Sequence, residues 1–326
     1  MTVLVTGAAG FIGFHVSATL LRAGESVIGI DNLNPYYDVR LKEARLAELR
    51  KRAGFSFERL ELAQERALLR FVERNPGIDR VVHLAAQAGV RHSLEEPRAY
   101  VSANLVGQVE VLEACRQIRG LKHLVFASTS SVYGGNTKLP FSVADPVETP
   151  QSLYAATKRA DELMAYCYAH LHRIPVTGLR YFTVYGPWGR PDMAAWIFTE
   201  AILAGRPIRL FNHGKMQRDF TYIDDIVAGT LACLANPPAD DGSAPPYRLY
   251  NLGNHRCEEL EHFVAVLERA TGRKAQRELL PMQPGDVAAT YADIDSSRRD
   301  FGFDPKTPID EGLPRFVAWY RQYRGI

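Results

Sequence analysis

Tyr154-Ala-Ala-Thr-Lys158 sets a phenol and an ammonium four residues apart, a spacing that puts both on one face of a helix. A free phenol titrates near ~10 and is a poor base at neutral pH. A fixed cation one turn away favours the phenolate and lowers that value. The same ammonium can hydrogen-bond a ribose hydroxyl and so position a reacting group. Upstream, Ser128-Thr-Ser-Ser-Val-Tyr-Gly134 collects hydroxyls at the end of an apolar run, 121–127. A hydroxyl cluster where a parallel strand ends lies in the crevice in which open α/β sheets bind ligands.

These groups need a scaffold, and the chain spells one out. Residues 2–6 form a β-branched run, the pattern of a buried parallel strand. It feeds Gly7-Ala-Ala-Gly10-Phe11-Ile12-Gly13 and then an apolar-periodic helix to about Arg22. Glycines so spaced let the backbone turn tightly and approach a pyrophosphate resting on the helix N-terminus. A second strand, 27–30, leads into Asp31 and Asn32. A carboxylate there accepts from adenosine ribose hydroxyls and repels a 2′-phosphate, so the expected cofactor is NAD rather than NADP. The polar stretch 34–52 reads as a loop and a helix whose charges form a solvated face.

Further strands are expected at 55–62, 81–86, 121–127 and 176–181, with helices over 63–75, 100–119 and 153–172. Strands alternating with helices imply a parallel sheet with right-handed crossovers. The fold class is therefore α/β, a Rossmann-type doubly wound sheet with a smaller C-terminal substrate-binding domain. The NAD-binding domain is placed at 1–181, with returns near 220–234 and 250–253, and the substrate domain at 182–326. His83, inside a strand, reads as a satisfied core histidine.

Composition narrows the class. The 326 residues carry a net charge of +2 with no basic block, which points away from nucleic acid or an anionic membrane as partner. Four cysteines without a CxxC pair argue against a metal site or disulfide framework. With no basic leader and no membrane-length apolar run, a cytoplasmic location is expected.

Taken in order, TGAAGFIG, the 31–32 pair, HLAA at 83–86, Asn104, STSSVYG, YAATK, RYFTVYGP and RDFTYIDD at 218–225 together resemble the extended short-chain dehydrogenase/reductase family over essentially the whole chain. Within it the chain looks most like the nucleotide-sugar 4-epimerases; 181–194 and 283–293 look closest to those acting on UDP-glucuronate. The resemblance implies that Tyr154 is the catalytic base, Lys158 its partner, and Thr129 the hydroxyl bridging Tyr154 and the sugar O4. It assigns the cofactor to Gly7, Gly10, Phe11, Ile12, Gly13, Asp31, Asn32, Glu61, Leu62, Leu84, Ala85, Ala86, Asn104, Ser128 and Tyr181, together with Tyr154 and Lys158. It assigns Thr129, Phe211 and Arg218 to the substrate: Arg218 would bind the diphosphate and Phe211 would pack on uracil. From the residues themselves, Arg91 in its loop could reach a substrate phosphate, and the hydroxyls of Ser130, Ser131 and Thr183 with the planar fork of Arg190 are the candidates to grip a carboxylate. Two departures stand out: Glu61 replaces the usual aspartate near adenine, and Gln283 replaces an arginine of the glucose epimerases, which argues against UDP-glucose. The family also implies a homodimer through the helices 100–119 and 153–172, and service in polysaccharide synthesis.

The expected activity is NAD-dependent 4-epimerisation of UDP-glucuronate to UDP-galacturonate through a 4-keto intermediate. The alternatives are a 4-epimerase of UDP-glucose or a UDP-N-acetylhexosamine and, further off, a decarboxylase, a dehydratase or an inactive NAD-binding scaffold. Ser130 and Ser131 stand where a dehydratase or decarboxylase carries acidic residues, and a serine does no general acid–base work at neutral pH.

Overall fold

The structure is a computed structural model and describes residues 2–283 and 287–326. Its centre is a seven-stranded sheet of β1 (Thr2–Thr6), β2 (Ser26–Asp31), β3 (Phe55–Arg59), β4 (Ile78–His83), β5 (His123–Thr129), β6 (Val176–Tyr181) and the strand Tyr247–Leu252. Every pairing is parallel, and the spatial order is 247–252, β6, β5, β4, β1, β2, β3. This is a Rossmann-type doubly wound sheet. The order reverses between β1 and β4, and the crevice at the carboxyl ends of these strands is where such sheets bind ligands.

The apolar runs are explained by burial on both faces. Val3, Val5, Val82, Val125 and Leu179 pack on one side with the helices Phe11–Arg22 and Ile223–Ala235. Leu4, Val81, Leu124, Phe126 and Val176 pack on the other, against Ala67–Glu73, Gly107–Gln117 and Leu153–His172. Alternate residues of one strand thus feed two separate cores. The strand Tyr247–Leu252 closes the sheet beside β6, in register from Tyr247 opposite Val176 to Leu252 opposite Tyr181.

Several expected boundaries shift. The third strand stops at Arg59 and the fourth at His83, so Leu62, Leu84, Ala85 and Ala86 lie in loops beyond the strands. The helix expected over 63–75 covers only Ala67–Glu73. The one expected from 100 runs from Pro97 through a π-helical segment, Val101–Val106, before returning to α-geometry at Gly107–Gln117. The stretch 34–52 requires a correction. Its helix, Val39–Arg50, is not simply a solvated face, because Lys42 and Arg45 are buried. Arg45 donates to the carbonyls of Ala9 (2.9 Å) and Trp188 (2.6 Å) and to the Tyr37 hydroxyl (2.8 Å), tying three distant segments together.

After β6 the regular alternation ends. Short pairs form between Thr183–Tyr185 and Phe220–Tyr222, Gln217–Arg218 and Glu258–Glu259, and Ile208–Leu210 and Arg277–Leu279. Asp219 sits at their junction with both carboxylate oxygens buried. It accepts from the backbone N–H of Asn254 (2.5 Å) and Ala292 (3.1 Å) and from the Thr221 hydroxyl (3.2 Å). Burial raises its pKa to about 6 against these bonds, each of which favours the ionised form.

Candidate active site

The glycine-rich turn has no room for side chains. Gly7 has φ +71°, and a Cβ there would lie 2.7 Å from the Ala85 nitrogen; a Cβ on Gly13 would lie 2.1 Å from the Gly7 carbonyl oxygen. The turn is closed by Gly10 N–H donating to that same oxygen at 2.9 Å. The helix then starts at Phe11, and the N–H groups of its first turn have no partner within their own helix. That donor set suits an anion, and the macrodipole favours one there.

Asp31 ends β2, and its carboxylate accepts from Ala9 N–H (3.2 Å) and Leu33 N–H (2.8 Å). The turn and the Asp31 carboxylate are thereby one hydrogen-bonded unit. Lys42 comes within 3.8 Å of Asp31, a cation beside that carboxylate that the local sequence around Asp31 did not disclose. Beyond it lies a groove of about 450 Å³ lined by Asn32, Leu33, Asn34, Pro35, Arg59 and Glu61. Asn32 donates to Glu61 at 2.7 Å across it. A glycine turn suited to a pyrophosphate, a carboxylate placed to accept from ribose hydroxyls and a groove roomy enough for adenine fit a dinucleotide, and these residues would hold NAD.

Tyr154 and Lys158 lie in the first turns of the helix Leu153–His172, whose N-cap Ser152 accepts from Ala155 N–H at 3.1 Å. Tyr154 is half-buried and its ring meets Tyr100 edge-on, centroids 6.0 Å apart. Lys158 is buried and donates to Asp161 at 2.6 Å, so the cation brings its own counter-ion. Burial raises the Asp161 pKa to about 6 even though Lys158 pulls it the other way. His83, behind the site, is within 2.6 Å of the Thr6 hydroxyl; burial first, then the Lys158 charge, lowers its pKa to about 3. It is a neutral core histidine at physiological pH.

Thr129 is the last residue of β5 and opens the 3₁₀ turn Ser130–Tyr133, accepting from Ser131 N–H at 3.2 Å. The Leu153–His172 helix, which carries Tyr154 in its first turn, packs on that 3₁₀ turn. Three residues expected at the cofactor spend side-chain hydrogen bonds inside the protein. The Ser128 hydroxyl is donated inward to Glu162 (2.6 Å). Asn104, turned inward by the π-helical segment, accepts from Gln87 N–H (2.8 Å) and donates to Gln87 O (3.1 Å) and the Thr157 hydroxyl (3.0 Å). Its amide clamps the loop after β4 to the Tyr154 helix. Tyr181 likewise turns its hydroxyl to Thr230 at 3.0 Å, in the core.

On the substrate side, Arg91 and Phe211 come together, the guanidinium 4.8 Å from the ring centroid. Arg218 lies on a short strand and donates to the carbonyls of Gln217 and Ala288. Thr183 heads the segment that leads to Arg190. Arg190 is engaged by Asp192 through Nε (3.0 Å) and Nη2 (2.5 Å), and Asp192 also accepts from the Tyr36 hydroxyl (2.9 Å). Burial works against the charge on Arg190, but Asp192 and the phenols of Tyr36 and Tyr154 more than offset it, holding its pKa above the ordinary value. Arg190 therefore lies within electrostatic reach of Tyr154. Tyr36 and Asp192 were missed in the sequence, where 156 positions separate them; the only signal was an aspartate two residues after an arginine. Of the 283–293 motif, Pro284–Asp286 lie outside the described residues. No group of metal-ligating side chains is found among the described residues, and no helix there is long and apolar enough to cross a membrane.

The sequence profile of the NAD dependent epimerase/dehydratase family matches residues 3–253. A protein of Rhizobium meliloti (strain 1021), "Probable UDP-glucuronate 4-epimerase", is 49% identical over 99% of this chain and 97% of its own length. "UDP-glucuronate 4-epimerase 4" of Arabidopsis thaliana is 48% identical over 99% of this chain and 76% of its own. Among solved structures, the UDP-glucuronic acid 4-epimerase of Bacillus cereus in complex with UDP-glucuronic acid and NAD superposes with a TM-score of 0.90 at 34% identity, covering 99% of this chain and 100% of that one. The chain belongs to the NAD dependent epimerase/dehydratase family.

Proposed function

We infer that the protein is a UDP-glucuronate 4-epimerase that carries NAD as a bound cofactor. The observation that carries this reading is a hydroxyl, phenol and ammonium set at the carboxyl ends of β5 and β6, with an arginine fork within electrostatic reach of the phenol. Near-full-length similarity to proteins named for that reaction supports it.

The C4–H of the sugar is not acidic, so inversion by simple deprotonation is closed. When bound, NAD accepts the C4 hydride and returns it to the opposite face of the sugar. The chain's own residues do the rest. Tyr154 takes the O4 proton as the 4-keto sugar forms and gives it back when C4 is reduced, so protons balance over the cycle. Thr129 holds O4 toward Tyr154, and Lys158 anchors the ribose. Arg91 and Phe211 offer a cationic and an aromatic face to uracil, and Arg218 a charge to the diphosphate. Ser130, Ser131, Thr183 and Arg190 hold the C6 carboxylate. No acidic residue stands at 130 or 131 to protonate C5, which disfavours the dehydratase and decarboxylase readings.

Residues 1–181 with the Ile223–Ala235 helix and the Tyr247–Leu252 strand form the cofactor unit in this reading, and most of the rest covers the sugar. The exposed apolar side chains Val101, Val106, Val109, Leu163, Tyr166 and Leu171 support self-association through the helices that carry them. A uronic-acid donor of this kind serves polysaccharide synthesis.

The test is incubation with UDP-glucuronate, UDP-glucose and UDP-N-acetylglucosamine, with products identified by NMR. UDP-galacturonate is the expected product. Turnover of an uncharged UDP-hexose with none of UDP-glucuronate would overturn the reading. The purified protein is also expected to carry NAD(H) without any being added. Because Asp31 knits the ribose site to the Ala9 turn, Asp31→Ala should lower the fraction of protein that retains cofactor through gel filtration. Recovery of chiefly NADP from the wild type would contradict the assignment of Asp31.

A further inference from the structure

A guanidinium presents its N–H donors in a rigid plane with two usable edges. Asp192 takes the Nε/Nη2 edge of Arg190 side-on. That leaves the Nη1/Nη2 edge to meet a second carboxylate. Asp192 is in turn held by the Tyr36 hydroxyl, and the Arg190 guanidinium stands 5.9 Å from the centroid of the Tyr36 ring. The backbone just before Arg190 is fixed independently, since Arg45 donates to the carbonyls of Trp188 (2.6 Å) and Gly189 (3.3 Å). Both the main chain and the side chain of Arg190 are thus set by groups from the 36–45 stretch, on the cofactor side of the molecule. The side chains of Arg190 and Asp192 keep 22% and 30% of their accessible surface, so the pair is not sealed in the core.

We propose that Asp192 and Tyr36 are positioning residues for the epimerisation: they aim Arg190 so that its free edge holds the substrate carboxylate where it cannot leave. This rests on the activity proposed above. Once C4 is a ketone, C6 belongs to a β-keto acid. If the C5–C6 bond stands perpendicular to the carbonyl plane, its electron pair moves into the C4 carbonyl. The bond then breaks, CO₂ leaves, and the resulting enolate takes a proton from water at C5. The product is a UDP-4-keto-pentose. A fork held rigidly at one angle keeps C6 close to the carbonyl plane and denies that overlap. A fork that swings does not.

The experiment measures partitioning, which does not depend on how much enzyme is folded. Wild type, Asp192→Ala, Asp192→Asn, Asp192→Glu and Tyr36→Phe are given UDP-glucuronate labelled with ¹³C at C6. Labelled CO₂ and UDP-4-keto-pentose are compared with UDP-galacturonate formed. Asp192→Ala is expected to raise the pentose-to-epimer ratio about tenfold or more, the scale on which a misplaced positioning group acts. Tyr36→Phe should raise it less, and Asp192→Glu should bring it back toward wild type. If Asp192→Ala does not fold, Asp192→Asn and Tyr36→Phe carry the test. Loss of turnover with the ratio unchanged across the soluble variants would overturn the proposal while leaving the activity intact. A wild type inert toward UDP-glucuronate would instead remove the activity on which the proposal stands.

Discussion

Replacing Tyr154 with phenylalanine is expected to lower turnover by about a hundredfold to ten-thousandfold, the range that a positioned acid–base group supplies, while the cofactor stays in place. The ring packs edge-on against Tyr100, a contact that phenylalanine keeps. Lys158, on its own buried ion pair with Asp161, does not depend on the phenol for its position. The cradle at Gly7–Gly13 and Asp31 is built by other segments. Only the ionisable hydroxyl is lost, and Thr129, an alcohol already bonded to the Ser131 backbone, is no substitute base. The variant should therefore bind UDP-glucuronate and retain NAD(H) but form little product in a single turnover. Retention of more than about a hundredth of the wild-type rate would contradict the assignment of Tyr154 as base.

The second large effect is on stability. Glu162 lies under the site with no exposed surface, and Arg180, which donates to both of its oxygens, keeps 1%. Ser128 and Arg159 donate to the same carboxylate. Removing one partner of a buried pair strands the other charge, at a cost of about 3–5 kcal/mol. Glu162→Ala should lose that much in urea unfolding. It should also lose activity, because Ser128, which loses its acceptor, immediately precedes Thr129. Replacing both partners with apolar residues, Glu162→Leu with Arg180→Met, should recover most of the stability. A loss well under 1 kcal/mol for the single variant would show that the pair supports nothing.

The pH dependence follows in sign. Burial opposes the charge on Glu162, but Arg180, Ser128 and Arg159 outweigh it and hold the carboxyl below its usual value of 4.5. The stability it contributes is full above that value and is lost as pH falls through the lower folded one. The variant should lack this part of the acid limb.

The sheet was legible because its strands are buried on both faces and so appear as short, β-branched apolar runs bounded by glycine and polar turns. The residue types of the site were legible for a related reason: a Tyr–Lys pair at helical spacing and glycines after a first strand are local patterns. What escaped was set by long-range partners. The charges on Lys42 and Arg45 suggested solvent, yet Arg45 is buried because carbonyls at 188 and 189 await it. Asn104 was assigned to the cofactor by family resemblance, and Ser128 by resemblance and by its place where a strand ends. A π-helical segment and a buried glutamate turn them inward, and neither is visible in local spacing. The Tyr36–Asp192 contact joins two loops that no periodicity connects.

The Asp219 junction and the closing edge of the sheet also bear on how the chain is made. Domains emerging from the ribosome fold from the N-terminus onward. Once residues 1–181 have been made, β1 to β6 can pair, but β6 then faces solvent along one edge, with every residue of the strand destined for burial. An uncovered strand of that kind invites pairing with other chains. Its cover, Tyr247–Leu252, arrives only after 65 further residues, 182 to 246, have been synthesised. The Asp219 carboxylate waits longer still, until Ala292 supplies its N–H. The vulnerable interval in the life of this protein is thus a stretch of translation, after β6 has been made and before the sheet has its last strand.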